Sequence, residues 1–145
     1  MTSIAPIVWS RVRWCTPDPA DLEAAPLQDY PFHREPTAKF KIVTYFSEPA
    51  VLVAYEDWYK DNDIEWVMFN ETLMFVQSGS AEMTYWNPPN WTDRGSVILE
   101  PGTVLFLPRG GHVWFQVLSD EPFRRVVVDI PNPGFEFHEA SGAEA

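Results

Sequence analysis

The stretch Pro101-Gly102-Thr103-Val104-Leu105-Phe106-Leu107-Pro108-Arg109-Gly110-Gly111-His112 decides how this chain folds. Pro101-Gly102 opens a turn, the apolar run Val104–Leu107 follows, and Pro108-Arg109-Gly110 closes it with a histidine two residues on. The run has the length of one buried strand and is too short for a helix. A polar residue just past the second turn falls where the next strand begins. The pattern predicts a small β-barrel that holds a ligand or a metal in its mouth.

Working outward, the hydrophobic period stays at two. Phe40, Ile42, Thr44 and Phe46 make one face of a strand that Glu48-Pro49 ends, and Val51–Tyr55 is the next strand. After the polar turn 60–63 come Ile64–Phe69 and Thr72–Gln77, with Ser78-Gly79-Ser80 as a tight turn. Glu82–Trp86 runs into the stiff loop Asn87-Pro88-Pro89-Asn90-Trp91, read either as a lid or as a rigid connection. Val97–Leu99, Val104–Leu107, Val113–Val117 and Phe123–Ile130 complete a set of about nine or ten short strands, without a long helix or a repeat. Residues 1–37 are Pro-rich and irregular, with Ile7-Val8-Trp9 as a possible strand and a helical turn from Asp18 to Ala25, capped by Asp18 with Pro19 in its first turn. The predicted division is an arm over 1–37, packed on the barrel or on a partner subunit, a barrel over 38–133 and an acidic tail over 134–145.

A length of 145 residues makes one domain with a real core, and 46% hydrophobic residues exclude a disordered chain. The net charge of -11 argues against nucleic acid and anionic membranes as partners. The single cysteine, Cys15, excludes an internal disulfide and a thiolate zinc cluster within one chain. The absence of a basic-then-apolar leader and of a bilayer-length apolar run points to the cytoplasm.

The segment Glu65–Pro131 resembles the cupin superfamily. Glu71-Thr72-Leu73-Met74-Phe75-Val76-Gln77-Ser78-Gly79 is similar to the end of that family's first motif. Gly102, Pro108, Gly110, His112 and Gln116 are similar to its second. The resemblance implies an all-β, double-stranded β-helix, the jelly-roll barrel. It also implies a metal held by His-x-His, a glutamate and a second-motif histidine. Here the His-x-His pair has no counterpart in Ile64-Glu65-Trp66-Val67-Met68. Glu71 lies one residue further from its glycine than the family has, and His112 one residue nearer. A one-residue slip in a strand turns a side chain from pocket to exterior. Glu65, Trp66 and Glu71 resemble the ethanolamine-utilisation type of cupin, which is metal-poor. Some aromatic-ring dioxygenases also pair a metal-bearing cupin with a small metal-free one.

Two carboxylates and one imidazole are the candidate chemistry. Glu71 and His112 are the expected acid–base pair, and Glu65, Glu71 and His112 the expected ligands of a divalent iron, manganese or zinc, with no metal as the equal alternative. Glu65 and Glu71 face the same side if one strand joins them; a turn at Phe69-Asn70 removes that inference. Trp66, Met74, Tyr85, Trp114 and Gln116 are the expected substrate-binding walls. His112, Trp114 and Gln116 share one strand face, read either as a pocket wall or as the exterior, with Val113, Phe115 and Val117 inward in the second case. Two functions follow. One is an isomerase, lyase or ring-cleaving dioxygenase acting on a small, aromatic-leaning substrate in the barrel. The other is a non-catalytic ligand-binding cupin or metal-free accessory subunit. The expected assembly is a homodimer, or a hetero-oligomer with a larger cupin subunit.

Overall fold

In the computed structural model, residues 11–30 and 38–134 are described. The possible strand at Ile7-Val8-Trp9, the loop histidine His33 and the tail histidine His138 lie outside them. The elements are α1 (Pro19–Ala24), β1 (Gln28–Asp29), β2 (Lys39–Glu48), β3 (Val51–Trp58), β4 (Asp63–Val67), β5 (Glu71–Ser78), β6 (Ala81–Trp86), β7 (Arg94–Leu99), β8 (Val104–Leu107), β9 (His112–Val117) and β10 (Phe123–Ile130). All strand pairs are antiparallel. They form sheet A, in the order β1-β2-β3-β10-β5-β8, and sheet B, in the order β4-β9-β6-β7. This is the all-β jelly roll that the resemblance implies, built from the short strands that the turn spacing predicts.

Local chemistry fixes the ends of the elements. Asp18 accepts a hydrogen bond from the Ala20 amide at 3.0 Å and Pro19 fills the first helical position, as read from the sequence. Gly110 carries φ of +84° in the Pro108–Gly111 turn, a conformation a side chain resists. Its amide donates to the Met68 carbonyl at 2.7 Å, and the Met68 amide donates to the Gly111 carbonyl at 2.8 Å. The second-motif turn is thereby tied to the end of β4.

The inner faces of the two sheets make the core. Phe40, Ile42, Leu52, Ala54, Trp58, Met74, Val76, Leu107, Phe123 and Val127 line it from sheet A, and Ile64, Ala81, Met83, Leu99, Val113, Phe115 and Val117 from sheet B. Tyr30 belongs to the same cluster and β1 pairs with β2, so the barrel recruits the end of the stretch read as an arm. A second, smaller cluster lies outside sheet A, where Leu22 of α1 packs on Val43, Tyr45 and Tyr55. Among the described residues no helix is long and apolar enough to cross a membrane.

Candidate functional site

Strand parity decides where each candidate side chain goes. On β9 the buried residues are Val113, Phe115 and Val117, and the alternate row His112, Trp114 and Gln116 lies on the outer face of sheet B. Of the two readings of this strand, the exterior one describes the structure. On β5 the inward row is Thr72, Met74 and Val76, which leaves Glu71 exposed on the outer face of sheet A, opposite Ile130. Both one-residue slips therefore have their physical consequence. The positions one residue on, Val113 and Thr72, take the lumen.

The three expected metal ligands are not brought together. Glu65 and Glu71 are separated by a turn and belong to different sheets, so their even spacing places nothing. Among the described residues, the lumen positions around Thr72 and Val113 carry Trp66, Met68 and Asp129, and the group offers one hydroxyl, one carboxyl and no imidazole. Among the described residues no three His, Cys, Asp or Glu side chains are grouped to hold a metal. This donor set does not fit the imidazole-rich ion site that the fold family implies, and no chemical step is derived through one.

What the outer face of sheet B does hold is a polar–aromatic cluster. His112 Nε2 and Glu65 Oε2 are hydrogen-bonded at 2.9 Å, each side chain 23% exposed. The imidazole stacks on Trp86 at 4.3 Å between centroids and meets Trp91 at 5.1 Å. Arg94 covers the other part of Trp86 at 5.1 Å. Trp91 Nε1 donates to the Gly110 carbonyl at 2.8 Å, so the Asn87–Trp91 loop is pinned to the second-motif turn. Trp114 Nε1 donates to Asp63 at 2.5 Å.

The lumen contains charges that the sequence reading missed. Arg125 of β10 is fully buried, with its guanidinium 3.6 Å from the Trp58 ring centroid. Its Nη2 lies 3.7 Å from Glu56 Oε2 on β3, directly opposite in register, and Nη1 donates to the Phe123 carbonyl at 3.0 Å. Burial pushes the Glu56 carboxyl up to about 7, against the opposing pull of Arg125. Further along β10, burial pushes Asp129 up to about 6, although Thr72 Oγ1 donates to it at 2.6 Å. A signal for these groups exists in the sequence: Arg125 and Asp129 have the parity of Phe123 and Val127. The adjacent Arg124, outside and bonded to Asp57 through two nitrogens at 2.8 Å, masks it.

A cavity of about 310 Å³ opens between the edge strands β7 and β8. Met83, Tyr85, Val97, Leu105, Leu107 and Val113 line it, together with Trp86, Asn87, Phe106, Pro108, Gly111 and His112. Gly95 of β7 stands opposite Tyr85, and a Cβ there would collide with the Tyr85 hydroxyl, so the missing side chain is what lets this ring lie along the cavity wall. Of the expected binding residues Tyr85 is in this wall. Trp66 and Met74 lie in the packed core, Trp66 stacked on Phe115 at 5.7 Å, and Trp114 and Gln116 are outside.

The architecture is that of the cupins. The cupin domain of Schizosaccharomyces pombe Cnp3 superposes with a TM-score of 0.57 and 17% identity, over 76% of this chain and 71% of that one. KdgF from Halomonas sp. gives 0.57 and 15%, over 77% and 91%. The EutQ protein of Clostridium difficile gives 0.57 and 16%, over 80% and 92%. No protein-family model and no curated protein matches the sequence. The chain has the cupin fold, and identities this low speak for the fold alone.

Proposed function

We propose that this cupin binds a small, flat, largely apolar molecule in the cleft between β7 and β8, as a ligand-binding barrel without an imidazole-held metal. The observation that carries this reading is the cavity itself. Its volume of about 310 Å³ lies at the small end of ligand pockets. Its walls are aliphatic and aromatic, and Tyr85 and His112 are the titratable side chains among the lining residues. Such a wall selects by shape and apolar area, with the Tyr85 hydroxyl as a polar handle.

Titration with indole and with naphthalene, followed by tryptophan fluorescence and thermal shift, tests it. Saturable binding that Leu105→Trp abolishes, by filling the cavity, is the expected result. Absence of binding to either probe, or binding unchanged in Leu105→Trp, overturns it. Stoichiometric iron, manganese or zinc in protein purified without chelator counts against the metal-independent part.

A second reading, a cofactor-independent isomerase or lyase, rests on Asp129 and Glu56. Both are lumen carboxyls held near neutral pH by burial, the condition for a general acid or base. Asp129→Asn separates the two: turnover lost with ligand affinity retained supports catalysis. Acid–base chemistry by Glu71 inside the barrel finds no geometric support, because its side chain starts β5 on the outside.

A further inference from the structure

We infer that the barrel interior holds a small monovalent inorganic anion, of the size of nitrate or chloride, as counter-ion on the edge of Arg125 formed by Nε and Nη2. Two neighbouring arginines of β10 show what such an edge asks for. Arg124, on the outside, presents Nε and Nη2 to the two carboxylate oxygens of Asp57, both at 2.8 Å. Arg125 is fully buried, and neither its Nε nor its Nη2 meets a hydrogen-bond acceptor. Only Nη1 is bonded, to the Phe123 carbonyl. The guanidinium lies 3.6 Å from the ring centroid of Trp58, also fully buried, whose Nε1–H has no acceptor either. Buried donors are paired almost without exception, and each one left over calls for a partner. Here three of them belong to two side chains in contact, and all three need lone pairs. None of these residues lines the cleft between β7 and β8, so this site is separate from the one proposed there.

Charge says why the partner is an anion and not water. A buried guanidinium needs a counter-charge as well as lone pairs. Four acidic groups surround it, and each is spent or neutral. Glu56 of β3 is nearest, but its Oε2 is 3.7 Å from Nη2, beyond a hydrogen bond, and burial pushes its carboxyl up to about 7. Below neutrality it therefore brings no charge. Asp57, its neighbour on β3, uses both oxygens on Arg124. Burial raises the Tyr30 hydroxyl well above its ordinary range, so that it stays neutral. Asp129 lies four residues along β10, takes its hydrogen bond from Thr72 and is itself pushed up to about 6. The Arg125 edge presents two N–H groups side by side, the fork that grips two oxygens of a planar anion at once. Nitrate fits it in that way, and chloride meets both N–H groups with one atom. A net charge of -11 repels anions from the surface, so the affinity expected is in the millimolar range.

Thermal unfolding of the full chain at mildly acidic pH, in potassium nitrate, chloride or gluconate of equal ionic strength, tests this. Gluconate is too large for the site. Nitrate at about ten times a Kd of ~10 mM is expected to raise the Tm by about 3–5 °C over gluconate, and chloride by less. The double variant Glu56→Gln, Arg125→Met lacks the guanidinium and is expected to show no such rise. One Tm for wild type in all three salts overturns the inference, and so does an equal rise in the double variant. A crystal of wild type soaked in bromide, the heavy analogue of chloride, gives a reading that does not depend on the variant folding. An anomalous peak within hydrogen-bond distance of Arg125 Nε or Nη2 is expected. Water alone on that edge, or Glu56 turned onto it, overturns the inference.

Discussion

The two sheets are built inside out with respect to each other. Sheet B follows the ordinary rule: Ile64, Met83, Val113 and Phe115 inward, and Glu65, Glu82 and Gln116 outward. Sheet A carries Glu56, Arg125 and Asp129 inward, and Leu73, Phe75, Val104, Phe106, Val126 and Val128 outward. Sheet B therefore behaves as a wall between core and water. Sheet A reverses that order, with ionisable groups toward the lumen and apolar side chains on its outer face, and it pays for its inward charges by shifting their protonation. That difference places the lumen's ionisable groups on one sheet, and the cavity at the seam where the two edge strands face each other.

The largest expected effect breaks the inward half of sheet A. Glu56→Ala deletes the buried side chain opposite Arg125 and leaves the guanidinium facing an empty space with no carboxyl, neutral or ionised, beside it, which costs about 3–5 kcal/mol. Replacing Glu56 and Arg125 together by Gln and Met removes both charges and is expected to recover most of that loss. Denaturant midpoints at neutral pH measure both, and a single variant as stable as wild type denies the pair its role in the barrel.

The next effect is a pH dependence. Asp129 ionises near its ordinary value when unfolded and at about 6 when folded, so the folded state holds the proton longer. Stability contributed by the neutral carboxyl is complete below pH ~4 and is lost as pH rises to about 6, by ~3 kcal/mol for a shift of about two units. Glu56 adds a loss of the same sign that extends to about 7. The protein is thus expected to be more stable at mildly acidic than at mildly alkaline pH. Asp129→Asn, neutral throughout and still able to accept from Thr72, is expected to flatten the slope and raise the alkaline midpoint. A wild-type midpoint that climbs from pH 5 to pH 8 contradicts both shifts.

Smaller still is Gly95→Ala. The added methyl meets the Tyr85 ring, which must leave the cavity wall. Overpacking of this kind costs about 1–3 kcal/mol. The expected result is weakened probe binding with the fold kept. Unchanged affinity removes Tyr85 from the site.

The outward–inward contrast also separates what was legible in the sequence from what was not. The turns at Pro101-Gly102 and Pro108–Gly111, the capped helical turn and the period-two strands follow from local chemistry, and the structure contains them. The exterior row of β9 was equally open to reading, since Val113, Phe115 and Val117 make a cleaner apolar row than His112, Trp114 and Gln116. Motif spacing drew attention to His112 and Glu71. Parity then excludes both from the lumen, because one residue in a strand reverses a side chain. Arg125, Glu56 and Asp129 were hidden for a different reason: a charge inside a barrel contradicts the alternation rule by which inside is recognised. The cavity depends on two edges meeting, β7 and β8, and no local pattern encodes that distance.

The smallest effect sharpens the contrast from the side of sheet B. His112 and Glu65 form a hydrogen-bonded pair on a face that water reaches, both side chains 23% exposed. Solvent screening limits such a pair to about 0.2–1 kcal/mol of coupling, against the several kcal/mol expected of Glu56 and Arg125. A double-mutant cycle with His112→Gln and Glu65→Gln measures it directly. The coupling is expected to shrink in high salt. The stack of His112 on Trp86 contributes separately and survives Glu65→Gln, so the two terms divide cleanly. A coupling as large as that of the lumen pair would mean that this face, like the interior of sheet A, is closed off from water in the working protein.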